Sequence, residues 1–362
     1  MDILSILCKL ITFRTVTGTE NQEEVLRLFN WVKKESPSGY TAKIINSGGF
    51  NNLIVKNKTK FKHDLILLAH IDVVGGNSSL FEAKKSKNKL IGRGASDMKF
   101  AVACFIKLLN ETRKLRNFSL KIILTSDEEI GGKNGVLALK KLGEFKNAFA
   151  IILPDGGNNF NIVTQEKGLI HIMLTSQGKS AHASKPFEGK NAIETLFSDY
   201  KKITKSIEYS NKHGWSNTVC VTKINGGETT NSIPNIASLT LDIRFIEGYT
   251  ADKLLRKIKQ VVSKDTKVEK IASGDFVFVN ESNKIVKLLI SHARKAKGSK
   301  VDKYLDYGTS DARHLTDLDT PILMIKPKSG AHHTDKEWVD LESLSKYYKM
   351  LLEFTKSLDE TF

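Results

Sequence analysis

Four apolar runs in this 362-residue chain pass directly into residues of the kinds that hold metal ions. Leu65–Ala69 ends in His70-Ile71-Asp72, and Leu120–Leu124 is followed closely by Asp127-Glu128-Glu129. Ala148–Leu153 ends in Pro154-Asp155, and Pro321–Ile325 leads into a loop holding His332 and His333. If these runs are buried strands of an open, mostly parallel sheet, their polar residues fall at the carboxyl ends, where the functional crevice of such a sheet lies. Asp97 adds a further acid in Gly92-Arg93-Gly94-Ala95-Ser96-Asp97-Met98-Lys99, where two glycines permit a tight turn and close approach of backbone to a ligand.

Each piece has an ordinary reading. A single His-x-Asp pair is usually a local hydrogen bond, a lone Asp after a strand a turn former, and Asp97 ahead of an apolar run a helix N-cap. Three adjacent carboxylates beside a buried strand need raised pKa values, a cation or a solvated loop. The group weighs more than its members, because an ordinary account must explain each strand end separately. Together the set is His, His, Asp, Asp and Glu with no thiolate, which suits zinc, cobalt or manganese rather than an iron–sulfur cluster or calcium. Five ligands exceed the three usual at one catalytic zinc and fit two ions about 3.5 Å apart that share a bridging carboxylate. A neighbouring carboxylate that is not a ligand is the natural general base.

The elements needed to position these residues are legible. Asn52–Val55 joins three of the runs above as a strand, with helices expected over Gln22–Lys34, Met98–Leu115 and Asn134–Leu142. The N-terminus reads as an amphipathic helix with Ile3, Leu7, Leu10 and Ile11 on one side. From about Gly168 the texture changes to period-two strands at Ile170–Thr175, Thr218–Ile224 and Ala237–Phe245, with amphipathic helices at Ala192–Ile207 and Ala251–Val262. After Glu281 the pattern returns to a helix (Ile285–Lys295), a strand (Pro321–Ile325) and a closing helix (Leu341–Ser357). The expected architecture is α/β: a mostly parallel-sheet catalytic domain, 1–167 and 281–362, interrupted by an inserted α+β domain over 168–280.

Composition bounds the function. With 56 basic and 40 acidic residues the net charge is +16. The lysines are scattered in polar stretches without a basic block, so they read as solvated faces rather than a nucleic-acid arm. A basic nucleic-acid-binding protein is the remote alternative, and it leaves the metal-ligand types unexplained. No apolar run approaches the ~18 residues of a spanning helix. Three widely spaced cysteines, Cys8, Cys104 and Cys220, form no disulfide framework or metal knuckle. With an N-terminus unlike a signal peptide, the expectation is a cytoplasmic protein.

The motifs, in their order, resemble the dinuclear zinc amidohydrolase and exopeptidase family called M20. They are Ala69-His70-Ile71-Asp72-Val73-Val74, Gly92 to Lys99, Thr125-Ser126-Asp127-Glu128-Glu129, and His333 four residues before Glu337. The resemblance implies two divalent ions, zinc with cobalt or manganese as substitutes. Asp97 would bridge them, His70 and Asp155 would complete one site, and Glu129 and His333 the other. Asp72 would orient the His70 imidazole, and Glu128 would take a proton from the attacking water and deliver it to the leaving amine.

The central region carries the resemblance further. Gly178-Lys179-Ser180-Ala181-His182 is similar to a lid motif whose histidine, here His182, helps bind the oxyanion of a neighbouring subunit's site. The segments around Asn231 and Arg244 resemble those that hold a substrate carboxylate, and Gly308-Thr309-Ser310 resembles a substrate loop. A homodimer through the inserted domain follows from the same resemblance. The motif forms look closest to the succinyl-diaminopimelate desuccinylase and acetylornithine deacetylase branch, which cleaves small N-acyl amino acids. Three features depart from that branch: Phe100 after Asp-Met-Lys, Asp155 as the ligand in Leu-Pro-Asp-Gly-Gly, and Glu166-Lys167-Gly168 without paired arginines. The last is more similar to dipeptidases, so a dipeptidase or carboxypeptidase with the same centre is the alternative.

Overall fold

In the computed structural model, which describes residues 1–58, 61–113 and 115–361, the chain divides into two units. The first comprises Met1–Gln165, Phe278–Asp306 and Ser310–Phe362, and the second Glu166–Val277 with Tyr307–Thr309.

The first unit is built on a six-stranded sheet ordered Tyr40–Ser47, Phe50–Asn57, Ser119–Thr125, Asp64–His70, Ala148–Ile152 and Ile322–Leu323. The first two pairings are antiparallel and the remaining three parallel. Asp64–His70 and Ser119–Thr125 are buried at every position. A strand covered on both faces reads as a continuous apolar run rather than an alternating one. Register then levels the strand ends: His70 pairs with Thr125, and Leu67 pairs with Ile152 on the other side.

The helix Lys99–Glu111 begins at Met98 without a side-chain cap, so Asp97 is not committed to capping. It is shorter than the expected Met98–Leu115, of which Lys114 lies outside the described residues. The N-terminal helix Ile3–Thr12 packs on it through Ile6, Leu7, Leu10 and Ile11. Ile3 is only partly buried, because Ile6 takes the inward place. The expected strand Pro321–Ile325 is regular only over Ile322–Leu323. A further small sheet orders Ser329–Gly330, Trp338–Asp340, Lys89–Ile91 and Lys84–Ser86. Strands of two or three residues carry no readable period, and this sheet had no counterpart among the expected elements.

The second unit is an antiparallel sheet ordered Thr218–Gly226, Ile236–Phe245, Gly168–Gln177 and Thr266–Gly274. The helices Ala192–Ser206 and Ala251–Val261 pack against it, closing a core of Ile170, Ile172, Leu174, Leu196, Leu241 and Leu254 with their neighbours. Burial alternates along Ile236–Phe245, as a sheet covered on one face requires. Thr266–Gly274 escapes the period because a bulge falls between Lys270 and Ala272.

Candidate metal centre

Two groups of ligand-type atoms lie within 4.8 Å of one another in the first unit: His70, Asp97 and Asp155, and Asp97, Glu129 and His333. Asp97 belongs to both. Its Oδ1 is 3.0 Å from His70 Nε2, and its Oδ2 is 3.1 Å from His333 Nε2, which lies 3.1 Å from Glu129 Oε2. His332, its neighbour in sequence, is exposed and outside both groups.

His70 is oriented by the residue two places on. Its Nδ1 lies 2.9 Å from the backbone oxygen of Asp72 and 3.5 Å from that residue's Oδ1. A carbonyl oxygen only accepts, so Nδ1 carries the proton and Nε2 faces Asp97. The Asp72 carboxylate accepts from Glu128 N at 3.3 Å, Glu129 N at 3.1 Å and Thr17 Oγ1 at 2.9 Å. Asp72 thereby ties the His70 strand end to the turn that carries Glu128 and Glu129.

The three adjacent carboxylates separate in space. Asp127 folds the loop: its Oδ2 accepts from Asn134 N at 2.7 Å and its backbone oxygen from Gly132 N at 2.8 Å. Glu129 turns toward His333, and its Oε1 is buried with no hydrogen-bond partner among the described residues. Glu128 belongs to neither ligand group, and its Oε1 lies 3.5 Å from Arg313 Nη1. Arg313 and its neighbours Asp311 and His314 brace this turn. His314 Nε2 is 2.9 Å from Gly131 O, and a side chain at Gly132 (φ +65°) would collide with the Asp311 carboxylate.

Electrostatics mark the cluster as short of positive charge. Burial first, then the charges of Asp155 and Asp311, push the Glu128 carboxyl well above the usual range. Burial and Asp97 likewise push Asp155 up to about 6. Burial opposes protonation of His70, but Asp72 and Asp97 outweigh it and raise its pKa well above the ordinary value. Hydrogen bonds to Asp97 and Glu129 raise His333 to about 10. Without an ion, the carboxylates draw positive charge from imidazolium protons. The mixed imidazole and carboxylate donors, the shared Asp97 and the unpartnered Glu129 oxygen fit a pair of divalent cations.

The other expected site residues are in the second unit, apart from Ser310. Ser184 N donates to His182 Nδ1 at 3.2 Å, so the exposed His182 carries its proton on Nε2. Ala183 N donates to Asn231 O, which holds the His182 and Asn231 loops together. Arg244 is gripped by Asp242, with Nε–Oδ1 2.8 Å and Nη2–Oδ2 3.1 Å, and its Nη1 donates to Thr309 Oγ1 at 3.0 Å. Gly308 adjoins Thr309 in the same short segment. Ser310 caps the turn Asp311–His314 by accepting from Ala312 N. Sequence reasoning missed Thr17, Arg313 and the pair Arg93–Glu337, whose Nη1–Oε2 distance is 2.8 Å. The last two stand inside or beside the quoted motifs, while Thr17 had no signal.

Comparison with known proteins identifies the family. The chain is 30% identical over 354 residues to a succinyl-diaminopimelate desuccinylase of Pelagibacter ubique, covering 90% of this chain and 91% of that one. A Rickettsia akari protein of the same name is 27% identical, with 95% and 97% covered. Among solved structures, an M20 family metallo-carboxypeptidase from Sulfolobus solfataricus superposes with a TM-score of 0.82 at 17% identity, covering 98% of this chain and 99% of that one. A Staphylococcus aureus tripeptidase gives 0.77 at 20%, with 99% and 98% covered. The model for peptidase family M20/M25/M40 matches residues 66–357, a span that contains every residue of both ligand groups. A match across that span, on a fold shared with M20 enzymes, makes this chain a hydrolase belonging to peptidase family M20/M25/M40.

Proposed function

We propose that this protein is a two-metal amide hydrolase that cleaves a small N-acyl amino acid, of the succinyl-diaminopimelate desuccinylase or acetylornithine deacetylase type. The observation that carries the reading is Glu128: a carboxyl only 12% exposed and beside two ligand groups, yet a member of neither. His70, Asp97 and Asp155 would hold one divalent ion, and Asp97, Glu129 and His333 the other, with zinc the expected metal. When bound, the ions supply Lewis acidity toward the scissile carbonyl. Glu128 is the general base: its carboxylate accepts a proton from the attacking water and returns it to the departing amine. Asp72 supports both steps by fixing the His70 tautomer and the backbone of Glu128.

Substrate binding is assigned to the second unit. Arg244, held in plane by Asp242, keeps two of its five N–H donors for a substrate carboxylate, with Thr309 beside it. His182, protonated on Nε2, is in the tautomer an oxyanion donor needs. Asn231 accompanies it. The two sets stand at opposite ends of the strand Ile236–Phe245, roughly 25 Å apart at 3.3 Å per residue. One copy of this unit does not bring both to one small molecule, which favours a homodimer in which different copies supply the two sets. The edge strand Thr218–Gly226, exposed from Cys220 onward, offers the backbone groups for such a pairing.

A second reading, a metallo-exopeptidase with the same centre, is supported by the peptidase names of the similar solved structures. Hydrolysis of N-succinyl-diaminopimelate, N-acetylornithine, other acyl-amino acids and dipeptides by zinc-loaded and chelator-treated enzyme separates the two. Chelator-sensitive cleavage of one acyl-amino acid is expected. A preference for dipeptides would move the assignment to the exopeptidase reading, and equal turnover after metal removal would overturn both.

A further inference from the structure

Arg93 and Glu337 are 244 positions apart in sequence, and a short ladder makes them neighbours. Lys89–Ile91 pairs antiparallel with Trp338–Asp340, setting Ile91 opposite Trp338, and Gly92 N donates to Glu337 O at 3.0 Å. Both residues are buried, at 2% and 0% exposure. A charge removed from water is tolerated only when paired and hydrogen-bonded, and here the partners are specific. Arg93 Nη1 donates to Glu337 Oε2 at 2.8 Å and to Thr334 O at 3.2 Å, and Nη2 donates to Gly75 O at 3.2 Å. Glu337 Oε1 accepts from Ser96 N at 2.8 Å and from Asp97 N at 3.0 Å. A side chain at Gly76 would come within 3.1 Å of Nη2, so glycine there leaves room for the guanidinium.

Neither residue belongs to a ligand group; both grip backbone next to ligands. Glu337 holds the amide of Asp97, the residue common to both groups, and Arg93 holds the carbonyl that follows His333. The His333 loop needs such restraint, because Ala331 and His333 stand at φ +55° and +61°, which residues bearing a β-carbon disfavour.

We propose that the Arg93–Glu337 pair is a positioning clamp for the metal centre, fixing the Asp97 backbone and the His333 loop relative to each other and thereby the spacing of the two ion positions. The proposal rests on the two-metal reading above. Metal-centre residues hydrogen-bonded behind the ligands typically contribute 10–100-fold to affinity, and this pair holds two ligand segments at once.

Zinc titration calorimetry with metal analysis, run beside melting of the metal-free protein, tests the clamp without any substrate. Glu337→Gln keeps an oxygen for the Ser96 and Asp97 amides but sets an NH2 against the guanidinium. Zinc affinity is expected to fall ~10–100-fold. Arg93→Met is expected to do the same, and Arg93→Lys, which keeps the charge but not the fork, to lie between it and wild type. Should Glu337→Gln not fold, the Arg93→Lys and Arg93→Met pair carries the test alone. Variants that melt earlier when metal-free yet bind two zinc ions with wild-type affinity would make the pair a stabilising contact only and overturn the clamp. Wild-type protein that takes up no zinc would overturn the two-metal reading and the clamp with it.

Discussion

The two ligand groups that share Asp97 are built differently. His70 stands at the end of a strand buried along its whole length, and Asp155 follows the neighbouring parallel strand. Their placement is a matter of sheet register, and the His70 side chain is 1% exposed. Glu129 comes instead from the short turn Glu128–Ile130, and His333 from a loop whose left-handed backbone leaves its side chain 49% exposed. Local opening costs least where buried apolar contacts are few. The strand-built position should therefore hold its ion more tightly, and the loop-built position should exchange first.

The hardest blow to this contrast is Asp97→Ala. Removing the shared ligand should empty both positions and abolish turnover, as metal analysis and activity would show together; a variant that keeps one ion would deny Asp97 its bridging place. Next, Glu128→Gln should keep both ions while kcat falls by about 10²–10⁴. Retained turnover would remove its role as base. His333→Ala should cost one ion, the weaker, whereas His70→Ala should weaken the tighter one. Stepwise chelation followed by calorimetry checks the order, and equal affinities at both positions would erase the comparison.

The smallest effect is on pH. His333, raised to about 10 in the metal-free fold against about 6.5 when unfolded, adds stability that is fully present below pH 6.5 and lost as pH rises through 10. Chelated protein should therefore melt progressively earlier between pH 7 and 10, by a margin that His333→Ala lacks. Bound metal displaces the imidazole proton, so the loaded protein should lack it too. Parallel melting curves for chelated wild type and His333→Ala would contradict the assignment.

Legibility followed the physics of each region. Asp64–His70 and Ser119–Thr125 were readable because burial on both faces leaves a mostly apolar run, broken in the second only by Lys121, whose ammonium is paired with Glu144. The small sheet that joins Arg93 to Glu337 was not, because strands of three residues or fewer leave no pattern and their pairing joins distant segments. Asp127, Glu128 and Glu129 were readable as a cluster, and the motif resemblance assigned Glu128 and Glu129 roles that residue type alone left open.

Sequence alone determined which residue types stand at the strand ends, and hence that imidazole and carboxylate groups are what the edge of the α/β sheet offers. Local patterning encodes this, since a strand covered on both faces is mostly apolar and the histidines and acids gather where its apolar run stops. Only the tertiary structure decided how three consecutive acids divide their work: Asp127 folded into the loop, Glu128 facing Arg313, and Glu129 turned to His333. Adjacent carboxylates are chemically alike until the turn aims them differently and distant residues, 313 and 333, arrive to distinguish them.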